Sequence, residues 1–273
     1  MSDSKGRVCA RSGISAKLEP IGCRNNELKD KTLEASFSEF NHLDSVVRIK
    51  EILASEDSSY EEKDSIPART QLTFSNGFNV KASAIYVDIR GSSDLAEKHK
   101  RPTLAKLYRS YISELVAVLT GDLNVSEIYI EGDAVWGVFD TPYQKDVNRL
   151  FSTAARASSL IDILNYYYTK NGISQIVVGM GLTYGSALFL KAGYKGSSIN
   201  EVVWLGKMVA EASTLSSYGR RDLLDKRMMV SELFHYNLND HNKALLEWNS
   251  TRGCYHGYIV NIEMSEWLKS RNG

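Results

Sequence analysis

Asp88 stands near the end of a run of strand formers, A-I-Y-V-D-I-R-G-S-S (residues 84–93), and a Gly-Ser-Ser turn follows it closely. A carboxylate at a strand end, beside a turn rich in free backbone N–H groups, is suited to a metal-bound phosphate. A second carboxylate has a similar setting, in Glu131-Gly132-Asp133 between two further strand-like runs. Either aspartate alone reads equally well as a helix cap or a turn former. In this order and context, Asp88 and Asp133 predict a two-metal site for phosphoryl transfer. On neighbouring antiparallel strands the two carboxylates would meet and repel unless divalent cations lay between them. Mg²⁺ takes a few carboxylates plus phosphate oxygens, so a nucleotide would complete the site. Backbone N–H groups of residues 89–93, with Ser92 among them, are placed to hold phosphates. The next helix adds its dipole, and Gly91 permits close approach.

Those groups need a sheet to carry them, and the 273-residue chain is long enough to build one. With 43% hydrophobic residues it can bury a sizeable core. Its 33 basic and 33 acidic residues leave no basic field for nucleic acid or an anionic membrane. No apolar run approaches the roughly 20 residues of a membrane span, and the opening residues lack the apolar core of a signal peptide. Three distant cysteines (Cys9, Cys23, Cys254) give no disulfide framework and fit a reducing cytoplasm.

Periodicity divides the chain into an N-terminal arm and helix (1–68), a dimer-clasping or regulatory extension, and a catalytic domain (69–273). Apolar residues at helical spacing predict a helix over 35–54, and charges make 55–64 a connector. Residues 72–80 read as a hairpin turning at Asn76-Gly77. A strand over 82–89 follows, then a helix over 94–119 with Pro102 in its first turns or at a break. Two strands fold about Gly132-Asp133 over 127–139, and 147–168 is a long amphipathic helix. Residues 175–190 read as strand-turn-strand about Tyr184-Gly185. A strand (202–205), a helix (207–217) and strands at 228–230 and 257–263 complete an α+β pattern. The sheet is expected to be mainly antiparallel, with helices covering one face.

Four segments taken in order resemble the motifs of class III nucleotidyl cyclase catalytic domains. They are A-I-Y-V-D-I-R-G-S-S, E-I-Y-I-E-G-D-A-V-W-G-V-F, V-G-M-G-L-T-Y-G-S-A and V-V-W-L-G-K-M-V-A-E-A, spanning about 81–219. The resemblance implies the ferredoxin-like cyclase fold and a head-to-tail homodimer with sites at the interface. It implies attack of the ribose 3′-oxygen on the α-phosphate of a nucleoside triphosphate, releasing pyrophosphate. Asp88 and Asp133 match the metal-binding aspartates, and the Ile89 carbonyl matches a backbone metal ligand. Two Mg²⁺ or Mn²⁺ ions per site are implied.

The family reads its base through residues of the partner subunit, and here Tyr129 and Val203 fill those positions, so neither purine code is present. Trp204 matches a position that touches the base. Tyr86 shares a strand face with Asp88 by the period-two rule and matches a base-pocket position usually held by an apolar aromatic. A pocket narrowed by Tyr86 and Tyr129 would crowd a purine and admit a pyrimidine. This pattern is similar to the stand-alone bacterial pyrimidine cyclases of the Pycsar antiphage system. Those make cyclic UMP or cyclic CMP, which a separate effector protein reads. UTP is favoured over CTP on that resemblance alone. Tyr86 and Tyr129 read equally as strand aromatics packing a sheet.

The chain also departs from the family. Ala210 and Thr214 stand where active members carry asparagine and arginine, groups that orient ribose and stabilise phosphate charge. Lys207, one turn earlier, is a candidate substitute, as are Arg220, Arg221, Lys191 and Lys195. Two further readings therefore stand beside the pyrimidine cyclase: a purine cyclase with an atypical pocket, and a nucleotide-binding homologue without turnover.

Overall fold

The computed structural model describes residues 37–56, 59–195 and 200–272. The expected arm before residue 37 lies outside them, as do Cys9 and Cys23. Helix α1 (His42–Leu53) falls inside the predicted span, capped by Asn41 Oδ1, which accepts from Leu43 N–H at 2.9 Å. It buries none of its residues.

One sheet organises the rest, with central strands in the order β3-β4-β2-β5-β7-β9-β8. Strand β2 (Gly77–Ile89) lies antiparallel to β4 (Ala134–Phe139) on one side and to β5 (Val178–Gly193) on the other. β3 (Val125–Glu131) forms a hairpin with β4, and β6 (Asn200–Leu205) pairs with the outer half of β5. β7 (Met228–Val230) runs parallel to β5, and β8 (Glu247–Asn249) and β9 (Cys254–Gly257) extend the sheet antiparallel.

The period-two alternation of β2 splits its side chains between two apolar layers. Ile85, Val87 and Ile89 enter the layer built by α3 (Arg101–Thr120) and α4 (Gln144–Lys170). Leu107, Tyr111, Leu115 and Leu119 of α3 recur at helical spacing there, against Val147, Leu150, Phe151, Ala154 and Ile161 of α4. Val80, Ala82, Ala84 and Tyr86 face the opposite layer, with Met208 and Ala212 of α5 (Lys207–Tyr218). Helices thus cover both faces, not one.

Several sequence expectations are corrected. Residues 72–80 form no hairpin: Asn76 Oδ1 accepts from Thr73 N–H at 2.7 Å, and Gly77 opens the long strand β2. The connector contains a strand, β1 (Tyr60–Lys63), parallel to β2. The helix over 94–119 is two helices, α2 (Ser92–Lys98) and α3, broken at His99-Lys100 with Pro102 in the first turn of α3. Residues 257–263 are not a strand: β9 ends at Gly257 and α8 (Ile262–Asn272) follows. Two short helices, α6 (Glu232–Tyr236) and α7 (Asp240–Lys243), link β7 to β8.

The most consequential correction is β5, which runs unbroken through Tyr184-Gly185. Its glycines serve close packing and not a turn. A Cβ on Gly179 would stand 2.0 Å from the Ser216 carbonyl oxygen, and one on Gly181 would stand 2.1 Å from that of Ala212. Helix α5 therefore lies directly on the β5 backbone, and Thr183 Oγ1 donates to the Met208 carbonyl at 2.9 Å. Gly181→Ala should push α5 off the sheet at a cost of about 1–3 kcal/mol. The expected result is a melting temperature lower by roughly 2–12 °C, read by circular dichroism.

Candidate active site

The β2–β4 register pairs Val87 with Val135, which leaves Asp88 and Asp133 just beyond, at the same end of adjacent strands. Gly132 supplies the left-handed turn (φ +64°) that ends the β3–β4 hairpin and presents Asp133. The two carboxylates come within hydrogen-bonding reach of each other. Burial, then the charge of Asp133, raises the Asp88 pKa above the ordinary carboxylate range. Arg90 opposes this: its Nη2 pairs with Asp88 Oδ2 at 2.6 Å, and its Nη1 donates to the Ser217 carbonyl at 3.0 Å. The Ile89 N–H also donates toward the Asp88 carboxylate.

Gly91 (φ +64°) turns the chain into α2, with Ser92 as the first helical residue. Tyr108 of α3 lies near Ser92 and the two aspartates, and burial followed by Asp133 and Asp88 raises its pKa. Two carboxylates and a strand-end carbonyl form a hard-oxygen donor set, so Asp88, Asp133 and Ile89 are the residues that could hold a divalent cation. Among the described residues no group of three or more His, Cys, Asp or Glu side chains is poised to do so.

The other expected site residues lie elsewhere on the α5 face. Tyr86, Trp136 and Tyr129 sit opposite one another on β2, β4 and β3 and form an aromatic ladder. Ring centroids are 6.3 Å apart for Tyr86–Trp136 and 4.2 Å for Trp136–Tyr129, with the planes inclined by only 12° and 14°. The Tyr86 hydroxyl lies near Ser213 of α5. That of Tyr129 donates to the Val202 carbonyl at 3.2 Å and approaches Trp204. Trp204 packs against Phe189 with centroids 4.5 Å apart and the planes tilted by 34°. Val203, one residue along β6, points to the opposite side of that strand.

Lys207 is exposed at the first turn of α5, whereas Ser217, bonded by Arg90, lies in the last turn. At 1.5 Å per residue these ends are about 15 Å apart. One chain therefore collects Asp88, Asp133, Gly91 and Ser92 at one end of α5. It collects Lys207, Val203, Trp204 and Tyr129 toward the other, with Tyr86 between. Ala210 and Thr214 are exposed on the helix, and Thr214 Oγ1 turns back to the Ala210 carbonyl at 3.0 Å. Lys191 stacks on Phe74, its Nζ 4.8 Å from the ring centroid.

The sequence singles out none of Arg90, Tyr108 and Ser213, and Trp136 reads from it as a core or interface residue. Arg90 and Trp136 left a signal: one is two residues from Asp88, and a two-residue turn at Gly132-Asp133 sets Trp136 opposite Tyr129. Tyr108 and Ser213 arrive through helix packing and left none.

This sheet and its paired aspartates define a class III nucleotidyl cyclase fold. The chain superposes on the adenylyl cyclase CyaB from P. aeruginosa with a TM-score of 0.54 and 19% identity, over 63% of this chain and 85% of that one. It also superposes on a class III adenylyl cyclase-like ATP-binding protein from Pseudomonas aeruginosa with a TM-score of 0.64 and 17% identity, over 83% of this chain and 48% of that one. No protein-family model matches the chain. A uridylate cyclase from Treponema porcinum is 36% identical over 225 residues, covering 81% of this chain and 78% of its own length. A uridylate cyclase from Gulbenkiania mobilis is 34% identical over 212 residues, covering 75% of this chain and 82% of its own length. The chain belongs to the uridylate cyclase family of nucleotide cyclases.

Proposed function

We propose that this protein converts UTP to its 3′,5′-cyclic monophosphate and pyrophosphate, with Asp88 and Asp133 at the reacting phosphate. The observation that carries the reading is the meeting of these two carboxylates beside the Gly91-Ser92 turn. Burial first and the charge of Asp133 second raise the Asp88 pKa, and a divalent cation would relieve both. Asp88, Asp133 and the Ile89 carbonyl would hold two Mg²⁺ or Mn²⁺ ions, which acidify the 3′-hydroxyl and offset charge at the α-phosphate when bound. Arg90 would then give up part of its hold on Asp88. The turn at 91–92 offers N–H groups and the Ser92 hydroxyl to the phosphates.

The separation of the two residue groups along α5 supports a site made by two copies of the chain, head to tail. Each copy would bring Asp88 and Tyr86 to one site and Tyr129, Val203, Trp204 and Lys207 to the other. The names of the two relatives support a pyrimidine substrate, as do the phenols of Tyr86 and Tyr129 in place of the purine codes. We further propose, on the family resemblance, that the product is a second messenger of antiphage defence, made in the cytoplasm and read by a separate effector. Among the described residues no helix is long and apolar enough to cross a membrane. The boundary between the arm (1–68) and the catalytic domain (69–273) belongs to the same proposal.

Incubation of the purified chain with UTP, CTP, ATP or GTP and Mg²⁺ or Mn²⁺, with mass identification of products, tests the reading. Cyclic UMP should dominate; a purine product with no pyrimidine product would overturn it. Ala210 and Thr214 favour a second reading, a nucleotide binder without turnover, which tight metal-dependent binding without pyrophosphate release would establish.

A further inference from the structure

Trp136 occupies the middle of the aromatic ladder and is 7% exposed. Its indole N–H is buried and has no hydrogen-bond partner among the described residues. An orphaned buried donor costs about 1–3 kcal/mol, which a phenylalanine would avoid while still filling much of the space. The larger ring has a geometric consequence. The Tyr86 hydroxyl lies near Ser213 on α5, and the Tyr129 hydroxyl donates to the Val202 carbonyl on β6 at 3.2 Å. These contacts are at the far ends of the two phenols. The ring planes are set by what they lie against, and the indole is parallel to both.

We propose that Trp136 is a positioning residue for base selectivity, holding the rings of Tyr86 and Tyr129 in the planes that form the pocket walls. The inference rests on the reading that these two tyrosines line the base pocket. In a head-to-tail pair they would belong to different sites, so one indole would brace a wall of each. A smaller ring at 136 leaves volume beside both phenols, and rings that lose the indole face they lie against tilt into it. The pocket then widens and a purine gains entry.

The test compares wild type, Trp136→Phe and Ser213→Ala. Trp136→Phe keeps an aromatic ring in the stack and removes the orphaned donor, so the fold should survive. Ser213→Ala removes the neighbouring hydroxyl on α5 alone and leaves the aromatic ladder intact. For each protein, kcat/KM and the dissociation constant are measured for UTP, CTP, ATP and GTP. Trp136→Phe should lower the ratio of pyrimidine to purine preference about tenfold, mainly through KM and binding. A ratio within twofold of wild type in Trp136→Phe overturns the proposal, whether losses are uniform across nucleotides or Ser213→Ala alone shifts the ratio. Wild-type preference for a purine would count against the substrate assignment only. The change in preference on substitution still reads the role of Trp136, and binding constants read it even without turnover.

Discussion

Asp88→Ala is expected to abolish formation of cyclic nucleotide, with a loss of at least about 10³-fold, while the chain remains folded. The loss follows from removing half of a two-carboxylate site that would fix cations against the reacting phosphate. Such charge stabilisation is worth several kcal/mol, and each 1.36 kcal/mol is about tenfold in rate. Retention of the fold follows from the electrostatics. Burial and Asp133 raise the Asp88 pKa, so ionisation of Asp88 counts against the folded state. For a carboxyl whose folded pKa is raised, that penalty is absent below the ordinary carboxylate range and complete once the pH exceeds the raised value. In chelator at neutral pH, Asp88→Asn should therefore melt at or slightly above wild type, because Arg90 keeps an acceptor. Added Mn²⁺ and nucleotide should raise the melting temperature of wild type and not of the variant. Turnover retained in Asp88→Ala would remove Asp88 from the reaction.

Mixing two crippled chains should restore activity. Asp88→Ala spoils the carboxylate end of α5, and Tyr129→Ala combined with Lys207→Ala spoils the far end. With about 15 Å between these ends in one chain, a complete site needs a second copy. In a head-to-tail pair each mixed dimer holds one site with both halves intact and one with both halves spoiled. Equal mixing makes about half of the dimers mixed, so roughly a quarter of wild-type activity should return. The measurement is cyclic nucleotide formed by each variant alone and after co-refolding or co-expression. Activity no greater than the mean of the two parents would mean that each chain works by itself.

The stretch from Ala84 to Ser93 shows what was legible in the chain and what was not. Local chemistry carried strand β2, the turn at Gly91 and the placement of Asp88, because strand formers, glycine and a strand-end carboxylate act over a few residues. The hairpin at Gly132-Asp133 was legible for the same reason, and with it the partnership of Asp133 and Asp88. Glycine is ambiguous elsewhere in the chain. Gly77 opens a strand, and Gly185 lies inside one, since β5 needs its missing Cβ atoms to admit α5. A glycine that lets the backbone turn and one that lets a helix approach look alike in one dimension.

The sequence by itself determined the composition of the candidate site: two aspartates, a Gly-Ser-Ser turn beside one of them, and the tyrosines Tyr86 and Tyr129. These are properties of residue type and short spacing, which the unfolded chain already has. Only the tertiary structure decided the arrangement. It brought Arg90 and Tyr108 to the aspartates, wedged Trp136 between the tyrosines, laid α5 on the glycines of β5, and set Lys207 far from Asp88. Each of those facts depends on how elements distant in the chain pack against one another, through steric fit that the local order of residues does not encode.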